Sequence, residues 1–197
     1  MIKSSMLLET TFGTFRTSCH DIDGKMIVSF VCEDVKSETP LVRMHSGCIF
    51  GDAFHSLHCD CGQQKNAAME AIKRHGHGVF LYSPFQEGRG HGLEIKIAEM
   101  AIQREKKLDT VDAFALMGLH PDIRTYEREI QALEDLGIPK NIIHFSGNPN
   151  KRAALEQGGY IIEDQYEWTA PLGDLATAER DLKKSRLNYD YRRRDEQ

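Results

Sequence analysis

The sequence predicts a mixed α/β fold, a sheet flanked by helices, and three observations carry that prediction. Residues 6 to 35 are rich in β-branched and aromatic residues, broken by Gly13 and by Asp23-Gly24, which is a pattern of short strands and turns. From residue 62 onward helical and strand patterns alternate, which argues a layered α/β arrangement. No repeat and no long linker divides the 197 residues, enough for one well-buried domain.

The elements follow in order. Residues 7–12 and 14–17 form a hairpin about Gly13, and Asp21-Ile22-Asp23-Gly24 is a turn. Residues 26–32 are apolar enough for a strand buried on both faces. After Pro40, a strand over 41–45 delivers Arg43 and His45 to its end. A helix over 62–75 has Ala67, Ala68, Ala71 and Ile72 as its apolar face and Gly76-His77-Gly78 as its stop. A short buried strand at 79–82 ends at Ser83-Pro84. Residues 86–92 are a glycine-rich loop before a helix at 93–106, a place where backbone N–H groups can approach an anion. Asp122, after Pro121, is expected to open a helix running to 136, stopped by Gly137 and Pro139. A strand over 142–145 precedes a helix that starts at Asn148-Pro149 and ends at Gly158-Gly159. A last strand covers 160–163, a helix covers 174–188, and 191–197 read as a solvated tail.

Composition excludes several classes. At 40% hydrophobic and 28% charged it is ordinary for a soluble globular protein, and a net charge of −5 gives no basic footprint for nucleic acid. No run approaches the 18 or so apolar residues of a membrane helix, and no apolar signal segment follows Met1. A reducing cytoplasm is therefore expected, with Cys19 and Cys32 as free thiols.

The other three cysteines fall within fourteen residues, as Cys48, Cys59 and Cys61, among His45, His55 and His58. The segment has no apolar period that would bury it, so the cluster reads as a metal site, and thiolates suit Zn²⁺. Three ligands would leave a fourth position for water, as in a catalytic zinc; a histidine as fourth ligand would make the site structural. The spacing leaves both open.

The run Arg43-Met44-His45-Ser46-Gly47-Cys48, continued by Gly51-Asp52 and Cys59-Asp60-Cys61-Gly62-Gln63-Gln64, resembles the signature of the GTP cyclohydrolase II family. The likeness continues at Gln86-Glu87-Gly88-Arg89, Asp109-Thr110-Val111, Asp122 with Arg124, and Asn148-Pro149 with Lys151, so it covers about residues 6 to 165. The resemblance implies a three-layer α/β fold, hydrolytic opening of the guanine imidazole ring of GTP, zinc on Cys48, Cys59 and Cys61, Mg²⁺ with the triphosphate, and a homodimer. It implies a catalytic domain over 1–168; the residues over 169–197, polar and charged, read as a C-terminal helix and charged tail. Arg43, Met44, His45, Ser46, Gly47, Gln64, Glu87, Gly88, Arg89, Thr110, Ser146 and Lys151 fall where the family binds GTP. In an acidic protein Arg43, Arg89, Arg124 and Lys151 would concentrate positive charge, with Arg43 and Lys151 suited to phosphate. Glu87 could accept from two guanine N–H groups.

Asp122 and Arg124 match the family's proposed base and nucleophile. A guanidinium has a pKa above about 12, so Arg124 as a stabiliser of charge at phosphorus is the alternative to covalent attack. His45 and Asp60 read as supports of the metal ligands or as scaffolding. Three positions depart from the pattern. Met100 stands where the family has an active-site tyrosine, Ser146-Gly147 replaces Thr-Asn, and 83–85 is one residue longer. A thioether cannot donate a proton as a phenol can. Met100 therefore raises the expectation that hydrolysis stops at the formamide, unless another group such as His91 in the glycine-rich loop supplies the proton.

Overall fold

The computed structural model describes residues 2–32, 35, 38–166 and 172–191. Seven strands form one mixed sheet: β1 (Ile2–Thr10), β2 (Gly13–Ile22), β3 (Lys25–Cys32), β4 (Leu41–Ser46), β5 (Gly78–Ser83), β6 (Asn141–Phe145) and β7 (Ile161–Tyr166). Their order is β1-β2-β3-β5-β4-β6-β7. The first three strands and β5 pair antiparallel, while β5, β4, β6 and β7 run parallel. Between and after the strands lie helices α1 (Ile49–Asp52), α2 (Cys61–His75), α3 (Leu93–Lys106), α4 (Thr110–Leu116), α5 (Glu127–Asp135), α6 (Pro149–Gln157) and α7 (Asp174–Leu187).

Alternation along β4 sets the layers. Val42 and Met44 join an apolar cluster with Ile130 and Leu133 of α5 and Leu155 of α6. Leu41 points the other way, to a cluster with Ala68, Met69 and Ile72 of α2. Helices thus cover both faces, giving the expected three layers. Arg43 and His45 share the α2 face with Leu41, as a period of two requires.

Most expected elements form, and four differences have physical reasons. First, β3 buries Ile27, Ser29, Val31 and Cys32, but Val28 and Phe30 are only half covered, because the cover over the α2 face thins toward the antiparallel edge. Second, the helix expected from Asp122 begins only at Glu127. The Asp122 carboxylate accepts the Arg124 backbone N–H at 3.1 Å, a local bond that competes with the helical turn. Third, α4 was not anticipated from its short pattern; Asp109 caps it, accepting the Asp112 N–H at 2.9 Å. Fourth, the short α1 sits inside the cysteine segment, with Cys48 at its N-cap.

Cys19 and Cys32 are not joined in a disulfide. Among the described residues no helix is long and apolar enough to cross a membrane. The expected division at 168/169 and residues 192–197 of the expected tail lie outside the described residues, whereas Tyr191, where that tail was expected to begin, is half-buried against Tyr189 and Arg180.

Candidate active site

A cavity of about 1140 Å³ opens beyond the carboxyl ends of the parallel strands β4, β5 and β6. That is where open parallel sheets place ligands, because the loops leaving adjacent strands diverge there. The cysteines, the glycine-rich segment, α3, Arg124, Lys151 and α7 all contribute to its lining.

The ligand atoms of Cys48, Cys59 and Cys61 lie within 4.8 Å of one another. The Cys48 and Cys59 sulfurs are 3.7 Å apart. A tetrahedral zinc with bonds of ~2.3 Å sets its sulfurs about 3.8 Å apart, so the trio fits the ion. Close packing builds this geometry: a Cβ on Gly62 would overlap the Gly51 carbonyl, so α1 and the start of α2 can touch only through glycine. Bonds from the Cys59 and Cys61 thiols and the Lys96 ammonium pull the Cys48 thiol far down, while Cys59 is pushed up to about 11, first by its bond to Cys48. A bound metal would take all three as thiolates.

None of the three nearby histidines joins the cysteines. His55 and His58 are exposed. His45 is buried between the rings of Phe80 and Tyr82. Its Nε2 donates to Asp52 Oδ1 at 3.1 Å, and Asp52 Oδ2 accepts the Cys48 N–H at 2.9 Å. His45 thus supports the cysteine segment through Asp52; burial pulls its pKa down, against the pull of Asp52. Asp60 is a clamp: it accepts from Gln64 at 2.8 Å and from Arg180 and Lys183 of α7 at 3.2 Å each. Burial opposes its ionisation, but Lys183, Gln64 and Arg180 hold it below the usual carboxylate range.

Of the residues expected to contact a nucleotide, Arg43, His45, Ser46, Gly47, Gln64, Glu87, Gly88, Arg89, Thr110, Ser146 and Lys151 line the cavity. Met44 does not. Its side chain lies in the apolar layer on the opposite face, and only its carbonyl reaches toward the site, accepting from Lys151 Nζ at 2.7 Å. Arg43 is buried on the cavity floor, donating to the Phe145 carbonyl at 3.0 Å and to Gln64 Oε1 at 2.8 Å. Ser146 Oγ accepts the Asn148 N–H at 3.2 Å.

Glu87 is occupied. Oε2 accepts the Ile49 N–H at 2.6 Å, and Oε1 accepts from Gly88 N–H at 3.1 Å and from Lys96 at 2.7 Å. It fastens α1 to the glycine-rich segment. The N–H groups of His91 and Gly92 also bond within that segment, to Gly88 and Glu87 carbonyls, and so are not open to an anion. Arg89 donates to Glu179 of α7 at 2.8 Å, while its Nη1 has no partner among the described residues.

Arg124 donates from Nε to Asp122 Oδ1 at 2.9 Å and from Nη2 to Oδ2 at 2.5 Å. Arg124 lines the cavity, and Asp122 backs it from behind. Burial opposes the charge on Arg124, but Tyr126, Tyr189 and Asp122 outweigh it, so its pKa rises. Burial also opposes ionisation of Asp122, and Arg124 reverses that, holding it low.

Met100 lines the cavity half-buried on α3. Beside it Glu99 is buried, with Oε1 accepting from Thr110 Oγ1 at 2.9 Å and from Gln103. Burial pushes the Glu99 pKa up, against the bonds from Thr110 and Gln103. His91 lies outside the cavity lining, with Nε2 bonded to the His120 carbonyl and its ring against Phe114. Sequence reasoning missed Lys96, Glu99 and the α7 side chains. Their only signal was polarity on helices that otherwise read as solvated.

A family model described as GTP cyclohydrolase II matches residues 2–167. The riboflavin biosynthesis protein RibBA of Bacillus subtilis is 44% identical over 162 residues, which are 80% of this chain and 40% of that protein. GTP cyclohydrolase-2 of Archaeoglobus fulgidus is 42% identical over 151 residues, 77% of this chain and 39% of that protein. The chain thus spans about two fifths of the length of these two relatives. GTP cyclohydrolase-2 of Streptomyces coelicolor is 37% identical over 184 residues, 92% of this chain and 82% of that protein. With its cysteine trio, its Asp122–Arg124 pair and a match that runs over most of its length, this chain belongs to the GTP cyclohydrolase II family.

Proposed function

We propose that this protein hydrolyses GTP at C8 of the guanine, opening the imidazole ring, and releases pyrophosphate. One observation carries the reading: the three clustered thiols and the Asp122-backed Arg124 face a single cavity. Zn²⁺ held by Cys48, Cys59 and Cys61 supplies Lewis acidity that lets water ionise near neutral pH. Mg²⁺ accompanies the triphosphate, as the family resemblance implies. The active form is a homodimer on the same ground, and the sequence composition points to the cytoplasm.

The reaction balances with two waters. One adds to C8, and the C8–N9 bond breaks to leave a formamide on the pyrimidine. The second is taken up at the α-phosphorus as its bond to the bridging oxygen breaks and pyrophosphate leaves. Arg124 stabilises the charge that develops there. The raised pKa of Arg124 supports this role over covalent attack, which requires a deprotonated guanidine. Arg89 keeps a donor, Nη1, for phosphate oxygens. Asp122 fixes the plane of the Arg124 guanidinium.

The formamide is where the reaction stops, at 2-amino-5-formylamino-6-ribosylamino-4(3H)-pyrimidinone 5′-phosphate. Its hydrolysis would need a third water and a proton for the leaving amine. Met100 cannot give one. Among the described residues the one phenol in the cavity lining, Tyr189, is engaged at the Arg124 end. The test is formate and pyrophosphate released per GTP consumed. Pyrophosphate without formate, with formate rising in Met100→Tyr, supports the reading. Equal yields of formate and pyrophosphate from the wild type give complete hydrolysis to the diaminopyrimidine. Tight GTP binding with no turnover gives a non-catalytic nucleotide binder.

A further inference from the structure

The family match ends at residue 167, yet the segment beyond it reaches the cavity at several points. Glu179 pairs with Arg89, and Arg180 and Lys183 hold Asp60 beside two of the cysteines. Past α7, Asn188 takes a left-handed conformation, with φ 56°, and turns the chain so that the Tyr189 N–H bonds back to the Lys183 carbonyl at 3.1 Å. The Tyr189 hydroxyl then receives Arg124 Nη2 at 3.2 Å and Asn148 Nδ2 at 2.7 Å. A phenol oxygen that accepts two donors directs its own proton elsewhere, and Tyr189 lines the cavity.

Gly147 makes the approach possible. Asp190 N–H donates to the Gly147 carbonyl at 2.9 Å, and a Cβ on Gly147 would overlap the Asp190 carbonyl. The same position is one of the three at which the chain departs from the family pattern, where Thr-Asn becomes Ser146-Gly147.

We infer that the segment from Gly173 to Tyr191 is part of the catalytic apparatus, and that Tyr189 is the positioning residue for Arg124. This rests on the proposed release of pyrophosphate at Arg124. Asp122 fixes the guanidinium along its Nε–Nη2 edge, and Tyr189 takes a second bond from the same Nη2. Without Tyr189 the guanidinium can tilt about the Asp122 edge. A misplacement of about 1 Å can cost on the order of a hundredfold in rate.

The test uses the full chain as wild type, Tyr189→Phe, Gly147→Asn and the double variant. Steady-state pyrophosphate release from GTP should show kcat about ten- to a hundredfold lower in each single variant, KM within about twofold, and zinc content unchanged. The double variant should fall no further, because both changes undo one contact. Wild-type kcat in Tyr189→Phe overturns the inference, and so does a rise in KM alone. Absence of pyrophosphate release from the wild type sinks the functional reading instead. Hydrogen exchange then decides the packing: the Asp190 amide should exchange at least tenfold faster in Gly147→Asn, and equal rates in the two proteins overturn it.

Discussion

The Lys96 ammonium donates to the Cys48 sulfur across 3.0 Å and to Glu87 at 2.7 Å. Three thiolates on one divalent zinc would leave a net charge of −1, and this half-buried cation on α3 would offset it. Burial opposes the lysine's charge, but Cys48 and Glu87 raise its pKa. Lys96→Met should keep the fold and weaken zinc affinity about ten- to a hundredfold, the usual effect of losing an outer partner of a metal ligand. Competition with a chelator measures it; unchanged affinity removes Lys96 from the metal site.

Cys59→Ser should lose most of its zinc, because an alcohol does not ionise as a thiol does near neutral pH. Elemental analysis of the purified variant reads this directly. Full retention of zinc would refute the ligand assignment.

Arg124→Ala should abolish pyrophosphate release and leave zinc content unchanged, since the pair with Asp122 stands apart from the cysteines. Lys151→Met keeps the stem but removes the donor to the buried Met44 carbonyl. It should raise KM for GTP and cost about 1–3 kcal/mol of stability through the unsatisfied acceptor. Rapid pyrophosphate release by the first variant, or unchanged stability and KM in the second, would contradict these roles.

Stability should fall as pH drops from about 6.5 toward 3. His144 is fully buried, and burial first, then the charges of Lys151, Arg43 and Arg152, lower its pKa to about 3. Its folded pKa lies below the unfolded value, so the unfolded chain binds the extra proton in this window. The stabilisation is complete above about pH 6.5 and is lost on acidification toward the folded pKa, on the order of a few kcal/mol. His144→Phe should flatten the slope of denaturation midpoint against pH over this range, whereas a slope as steep as the wild type's would exclude His144 as its source.

The parallel strands and the cysteine cluster were legible because their signals are local: short apolar runs bounded by proline or glycine, and cysteines close in sequence. Residues 122–126 were misread because one side-chain bond from Asp122 outcompetes a helix start that looks well formed. The bonds that occupy Glu87 were not legible, because its partners, Ile49 and Lys96, come from two other segments. The contribution of α7 was invisible for the same reason. A helix with Glu179, Arg180 and Lys183 reads as solvated until Arg89 and Asp60 are seen opposite.

Arg43 bonds Phe145 across 102 residues of sequence, and Arg180 bonds Asp60 across 120. Such contacts form late in folding, because the chain between them must be drawn in before they stabilise anything. Synthesis delivers the chain from its N-terminus at about 5–20 residues per second. The cysteines, fourteen residues from first to last, emerge well before α7 does. The cavity has to wait until residue 189 has emerged from the ribosome. On the proposed function, the metal ligands are therefore made before the residues that complete the substrate site.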